Sequence, residues 1–273
     1  DVFLTETATL AHVVLPAASF AEKEGTFTNT ERRVQRVRQA LDPIGQSQPD
    51  WLIVCRIAQK MGAKGFDFRS AEEIFEEIRE LTPSYAGITY ARLDAGGGLQ
   101  WPCPAEDHPG TKILHQGSFT RGKGRFAPLS YRPSAEEPDA EYPFILSTGR
   151  SPFHYHTGTM TRKVVGLNAL APQELVWIHP NDAASLGIAE GDFVKVTSRR
   201  GSVKAAAKLT DQVPEKVVFM TFHFAEASAN VLTNAAIDPV AKIPEFKVCA
   251  VRVERAPREG SAQSGAQPAT AVI

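Results

Sequence analysis

The sequence predicts two architectures in succession: an α/β segment at the start of the chain and a small β-barrel towards its end. Three patterns carry that expectation. Two stretches with helical periodicity lie before residue 82, a Gly- and Pro-rich region follows, and from Tyr142 onward short β-rich runs alternate with turn signals. Six such runs over roughly a hundred residues suggest a barrel, which closes its own sheet edges.

Within residues 1–62 the apolar burst Val13-Val14-Leu15 ends at Pro16, and Asp1-Val2-Phe3-Leu4 reads like the end of a strand entering a loop at Thr5–Thr9. That opening suggests a fragment. Trp51–Met61 has helical periodicity, with Asp50 as N-cap and Gly62 as the stop. A second amphipathic helix over Ser70–Leu81 places Ile74, Phe75, Ile78 and Leu81 on one face, and Ser70-Ala71-Glu72-Glu73 reads as a capping box. Thr82–Pro143 shows little sustained periodicity and is expected to connect, partly as loop. The predicted barrel strands are Phe144–Ser147, Leu175–Ile178, Phe193–Thr197, Ser202–Leu209, Val217–Phe222 and Lys247–Val253. The small polar tail is expected to be disordered. The expected divisions are 1–62, 63–140, 141–256 and 257–273.

Charge narrows the function classes. Lys plus Arg number 30 against 31 for Asp plus Glu, a formal charge of −1, so no global field draws nucleic acid or an anionic membrane. Any anion site must be local. No apolar run approaches the roughly 20 residues that span a bilayer, and no signal-peptide pattern opens the chain, which reads as soluble and cytoplasmic. Cys55, Cys103 and Cys249 are widely separated and odd in number, arguing for reduced thiols rather than disulfides, zinc or iron–sulfur ligation.

The densest run of donors is Ser147-Thr148-Gly149-Arg150-Ser151-Pro152-Phe153-His154-Tyr155-His156-Thr157-Gly158-Thr159-Met160-Thr161-Arg162, directly after a predicted strand. Hydroxyls, imidazoles and a bidentate guanidinium are what a pyrophosphate needs, and the glycines allow close backbone approach. The plain alternative is a solvated loop. His154-x-His156 could share a face and hold a metal, but no third ligand has matching spacing. Neither Ser147 nor Ser151 lies in a G-x-S-x-G turn.

Other polar segments read first as architecture. In His179-Pro180-Asn181-Asp182, Asn181 or Asp182 caps a short helix that Gly187 ends, and Arg199-Arg200-Gly201 turns a hairpin. Glu22–Gln35 reads as a polar loop that composition alone does not resolve. Phe222-His223-Phe224 with Asn230, and Pro244-Glu245-Phe246-Lys247, put aromatic and polar groups at strand ends, where barrel mouths hold ligands.

Together these segments resemble the C-terminal part of the large (alpha) subunit of molybdenum or tungsten enzymes of the DMSO reductase family that use bis-molybdopterin guanine dinucleotide, formate dehydrogenases above all. The resemblance runs from Asp1 to Glu254 through DVFLTETATLAHVVLPAASFAEKEGTFTNTERRVQ, WPCP, STGRSPFHYHTGTMTR, HPNDAASLGIAEGDFVKVTSRRG and NVLTNAAIDPVAKIPEFKVCAVRV, in that order. It implies the α/β end of a Rossmann-like domain followed by a six-stranded double-psi β-barrel. It also implies that Thr148, Gly149, Arg150, Ser151, His154, Tyr155, His156 and Thr157 wrap a pterin dinucleotide, with Phe222, Asn230 and Lys247 completing the pocket. Asp1 matches the acidic position that reads the guanine, with Thr5 beside it; a carboxylate can accept from guanine N1–H and its N2 amine.

In that family the metal ligand (Cys or selenocysteine), its neighbouring His, the formate-gripping Arg and the cysteines of an iron–sulfur cluster lie upstream, and none has a counterpart here. The resemblance therefore implies a binding portion without catalytic residues, joined to upstream domains and to iron–sulfur or flavin electron-transfer subunits, with formate as substrate. Two rivals stay open at this stage: another enzyme of the same cofactor family, such as a nitrate reductase, and a free-standing double-psi barrel that binds without catalysis.

Overall fold

Residues 1–257 are described in the computed structural model of the 273-residue chain, so the tail from residue 258 on lies outside the described residues. They fall into two units that divide between Ala127 and Pro128.

The first unit begins with α1 (Glu6–Thr9), capped by Thr5, whose Oγ1 accepts from the Ala8 N–H at 3.2 Å. Neither Asp1–Leu4 nor Val13–Leu15 is a strand; the only ladder-like contact nearby is the isolated bridge from Ala17 to Gln48. The polar stretch left unresolved by composition is a hairpin of β1 (Gly25–Thr28) and β2 (Arg33–Val37). Its turn is made by Asn29, whose Oδ1 accepts from the N–H groups of Glu31 and Arg33 at 3.0 Å each.

Then follow α2 (Asp50–Lys60) and α3 (Ala71–Leu81). Pro49 takes the cap position of α2, which leaves Asp50 as its first helical residue rather than its cap. Gly62, at φ +79°, follows the C-terminus of α2. Only half of the capping box on α3 forms. Ser70 Oγ accepts from Glu73 N at 3.2 Å, but the Glu73 carboxylate takes the Arg69 N–H at 2.8 Å instead of that of Ser70.

The stretch expected to connect holds α4 (Tyr90–Gly96) and β3 (Leu99–Gln100), which adds to β2 as the third antiparallel strand. Val34, Phe75, Ile88, Tyr90, Leu93 and Cys103 form one core. That core unites residues on both sides of position 62, because a short hairpin cannot bury Val34 without the side chains of α3 and α4. The first compact unit therefore runs on to Ala127.

The second unit contains β4 (Phe144–Gly149), α5 (Val165–Leu170), β5 (Leu175–Ile178), α6 (Pro180–Ser185), β6 (Phe193–Thr197), β7 (Ser202–Leu209), β8 (Val217–Thr221) and β9 (Cys249–Arg255). The six strands close into a barrel in the order β4-β8-β5-β7-β6-β9. β4 with β8 and β5 with β7 run parallel, and the remaining neighbours antiparallel, the mixed pairing of a double-psi barrel. All six predicted strands form, with ends displaced: β4 gains Thr148 and Gly149, β8 stops before Phe222, and β9 begins after Lys247.

Alternate residues of these strands point inward, and Leu146, Val176, Ile178, Val194, Val196, Val218, Met220 and Val251 are fully buried. The cap of α6 is His179, whose Nδ1 accepts from Asn181 N at 3.2 Å. Asp182 is instead buried in the first turn, where its carboxylate accepts the Lys216 N–H at 2.7 Å. The Arg199-Arg200-Gly201 hairpin forms as expected, closed by Ser198 N donating to Gly201 O at 2.9 Å. Its arginines have a further role: Glu136 pairs with Arg200 at 2.5 Å and 2.9 Å and accepts the Ala250 N–H at 2.7 Å, tying the hairpin to β9.

Candidate functional site

Strand register brings one set of polar segments to one end of the barrel. Gly149 of β4 lies opposite Thr221 of parallel β8, and Leu146 lies opposite Cys249, where antiparallel β9 begins. The loop after β4, the Phe222-His223-Phe224 segment after β8 and Lys247 before β9 therefore share a rim. β5 enters at the same end, because Trp177 and Ile178 pair with Phe219 and Val218 in antiparallel sense, and the Glu174 carboxylate just before β5 reaches Thr221.

On this rim Arg150, Tyr155, His156, Thr157, Asn230 and Lys247 are exposed, and Ser151 and Phe222 half-buried. The Arg150 guanidinium lies 5.4 Å from the centre of the Phe222 ring, within cation–π range. Lys247 donates from Nζ to the Thr148 carbonyl, while Thr148 Oγ1 donates to Phe246 O at 2.8 Å, so the segment before β9 is fastened to the end of β4. Thr148 is thus buried and acts on the frame rather than offering its hydroxyl outward. A Cβ on Gly149 would sit 2.4 Å from the Phe219 ring, so a larger residue there requires that ring to move.

The two histidines of the loop part company. His156 faces solvent, whereas His154 is buried, its Nε2 donating to Ala171 O at 2.7 Å and its Nδ1 accepting from the Thr161 hydroxyl at 3.2 Å. That hydroxyl in turn accepts the Tyr155 N–H at 3.1 Å. His154 therefore shapes the loop from within and shares no ligand-facing surface with His156, which removes the basis for a two-histidine metal site. Arg162, at the far end of the donor run, is committed to Glu226 through two bonds of 2.8 Å and 2.7 Å. Burial pushes the Glu226 carboxyl up, but the Arg162 pair outweighs it and leaves it below the usual range.

Asp1 and Thr5 belong to the first unit. Asp1 Oδ1 accepts from the N–H of Val2 at 2.6 Å and the Thr5 hydroxyl caps α1; both residues line one groove there with Ala17 and Ile53.

Two further residues shape the rim: His223, whose segment the sequence marked without its role, and Glu174, which the sequence did not mark. His223, fully buried between two aromatic neighbours in sequence, accepts the Ser151 N–H on Nε2 at 2.8 Å and donates from Nδ1 to His156 O. Burial pushes its pKa below the ordinary value, and the nearby His154, Arg150 and His156 act in the same direction. Glu174 is buried beside a cavity of about 550 Å³ that also touches Arg150, Ser151, Trp177 and Lys208. Its carboxylate accepts from Thr221 N at 2.8 Å and Thr221 Oγ1 at 2.5 Å, yet desolvation prevails and raises its pKa to about 7. His223 lies within the Phe222-His223-Phe224 segment and Glu174 just before the strand at Leu175, but nothing in a linear sequence says that a histidine or glutamate at a strand end turns inward.

Exposed Arg and Lys cations, an imidazole, hydroxyls and an amide gathered on one rim form a donor set suited to phosphates and a polar heterocycle. Residues 144–250 match the family described as Molydopterin dinucleotide binding domain, and residues 1–60 match Molybdopterin oxidoreductase. These two matches make the chain similar, at its start and over its barrel, to the molybdopterin oxidoreductases. The barrel region carries the first of these matches and the opening residues the second. The chain is 55% identical over 258 residues to the F420-dependent formate dehydrogenase subunit alpha of Methanocaldococcus jannaschii, covering 93% of this chain and 38% of that protein. It is 52% identical, with the same coverage, to the F420-dependent formate dehydrogenase 2 subunit alpha of Methanococcus maripaludis. The assimilatory nitrate reductase catalytic subunit of Bacillus subtilis is 43% identical, covering 93% of this chain and 37% of that protein. The chain thus spans under two-fifths of the length of these molybdopterin-family relatives. Among solved structures, acetylene hydratase from Pelobacter acetylenicus superimposes with a TM-score of 0.64 at 18% identity, over 93% of this chain and 39% of that one, a likeness of fold.

Proposed function

We propose that this chain is the cofactor-holding C-terminal portion of the alpha subunit of a formate dehydrogenase, gripping bis-molybdopterin guanine dinucleotide that carries molybdenum or tungsten. The observation that carries the reading is the gathering of Arg150, His156, Thr157 and Lys247 on one barrel rim, within a domain of dinucleotide-binding type. Greater identity to formate dehydrogenase alpha subunits than to nitrate reductase favours formate.

In this reading Arg150 and Lys247 neutralise phosphate charge, while Ser151, Tyr155, His156, Thr157, Phe222 and Asn230 orient the pterin end; Thr148, Gly149 and His154 hold the loop that presents them. Asp1, with Thr5 beside it, accepts from the guanine edge. When bound, the group supplies the two-electron chemistry that interconverts formate and carbon dioxide. No residue of this chain is assigned to the reacting atoms. An iron–sulfur cluster elsewhere in the subunit, iron–sulfur or flavin partner subunits and a cytoplasmic setting complete the proposal. It is consistent with the naming of the relatives as alpha subunits and with the absence, among the described residues, of a helix long and apolar enough to cross a membrane.

The test is Arg150→Ala in the subunit produced in a cofactor-synthesising host. Pterin released per polypeptide, read by fluorescence after oxidation, should fall roughly tenfold, the worth of one charge-assisted hydrogen bond. Unchanged pterin and metal content would sink the assignment.

A further inference from the structure

His223 is not among the groups assigned to the ligand, yet the loop that presents them hangs on it. Its ring is fully buried immediately after β8, and both of its nitrogens are spent on that loop. Nε2 lies 2.8 Å from the backbone nitrogen of Ser151, and Nδ1 contacts the carbonyl of His156. An N–H can only donate and a carbonyl can only accept, so the two partners together specify one form of the ring: neutral, with the proton on Nδ1 and a lone pair on Nε2.

The staple spans the ligand-presenting segment end to end. His156 has φ +48°, the left-handed region that a residue with a side chain seldom occupies, and its carbonyl is held there by the His223 bond. Further along, the main chain of His223 presses on Gly158: a Cβ there would come within 3.0 Å of the His223 carbonyl oxygen. On the other side, Thr221, two residues before His223, is anchored by Glu174 through its N–H and its hydroxyl. The imidazole therefore stands on a fixed strand end and transmits that position to the loop.

We propose that His223 is a positioning residue that holds Ser151–His156 in its ligand-gripping shape, and that it does so only as the neutral Nδ1–H ring, so that protonation releases the loop. A second proton would sit on Nε2 and confront the Ser151 N–H with another donor. The charged and titratable groups facing the ring are Arg150, His154 and His156 from the loop. Phe222 and Phe224 flank it on its own segment, and Arg162 and Glu226, beyond Phe224, are paired with each other. Burial opposes a charged ring most, and His154, Arg150 and His156 act in the same sense, outweighing the bond to the His156 carbonyl, which acts the other way. The inference rests on the cofactor reading above.

The experiment compares the wild-type subunit, made in a cofactor-synthesising host, with His223→Gln and His223→Leu. The Gln amide offers one acceptor and one donor but does not titrate; Leu offers neither. Pterin and metal retained per polypeptide are measured after gel filtration at pH 8 and at steps down to pH 5, alongside thermal melting. The wild type should keep its cofactor at pH 8 and release it as pH falls below the ordinary histidine range. His223→Gln should retain cofactor with a flat profile, and His223→Leu should have lost most of it already at pH 8. The proposal is overturned by a Leu variant that retains cofactor like the wild type, or by a Gln variant with the same acid release. Should the Leu variant fail to fold, the Gln comparison alone decides. If Arg150→Ala depletes the cofactor while both His223 variants behave as wild type, this inference fails and the site stands. A wild-type subunit without pterin overturns both.

Discussion

In the barrel, large side chains such as Leu146, Ile178 and Met220 are fully buried and the most exposed apolar residues, such as Val165 and Val240, lie off the strands, whereas the first unit fully buries few large residues besides Val34 and Ile88. A closed sheet has no edges, and its alternating strands fill one interior from six directions. A three-stranded sheet with short helices cannot enclose its apolar residues in the same way, and more of its order rests on local caps and turns. The difference explains where a site can be built. The barrel rim stands on a core that resists deformation, so a few polar bonds, such as Thr148 to Phe246 and His223 to Ser151, suffice to fix its loops.

The comparison is sharpest at Leu146, whose loss leaves a hole among fully buried neighbours. Leu146→Ala should destabilise the chain by about 2–5 kcal/mol, read from urea unfolding; a loss below about 1 kcal/mol would show that the barrel wall collapses to fill the space.

A somewhat smaller effect is expected from Glu174, the one barrel-rim carboxyl raised from the ordinary 4.5 to about 7. Its folded state holds the proton more tightly than the unfolded state. Its contribution is therefore fully present below about pH 4.5 and is lost as pH rises to about 7, up to roughly 3 kcal/mol at alkaline pH. Urea midpoints measured from pH 4.5 to pH 8 should carry this downward component, and Glu174→Gln should flatten it. An identical slope in the variant would place the proton elsewhere.

In the first unit the comparison predicts a milder response to a local change. Ser70→Ala removes the cap of α3, which should cost about 1 kcal/mol and increase amide exchange in its first turn. A loss as large as that at Leu146 would erase the contrast between the units.

Much of the barrel was legible in the sequence because strand periodicity is local: every predicted strand forms, and Phe193–Thr197 and Ser202–Leu209 keep their predicted limits. The β1–β2 hairpin was not legible, since its stretch is dominated by charged and polar residues and its turn rests on Asn29, whose role depends on backbone shape. The cap of α6 was misplaced for a similar reason: His179 does the work usually expected of Asn or Asp, freeing Asp182 to hold Lys216 across the barrel end.

By itself the sequence determined the six barrel strands, the helices α2, α3 and α6, the polar run from Thr148 to Arg162 and the local character of any anion site in a nearly neutral chain. These follow from composition and from spacings of a few residues. Only tertiary structure decided that His154 turns inward while His156 faces out, that Lys247 reaches the Thr148 carbonyl 99 positions away, and that His223 and Glu174 govern the rim. Those facts depend on strand register and on which polar groups lose water, and both arise only once the barrel closes.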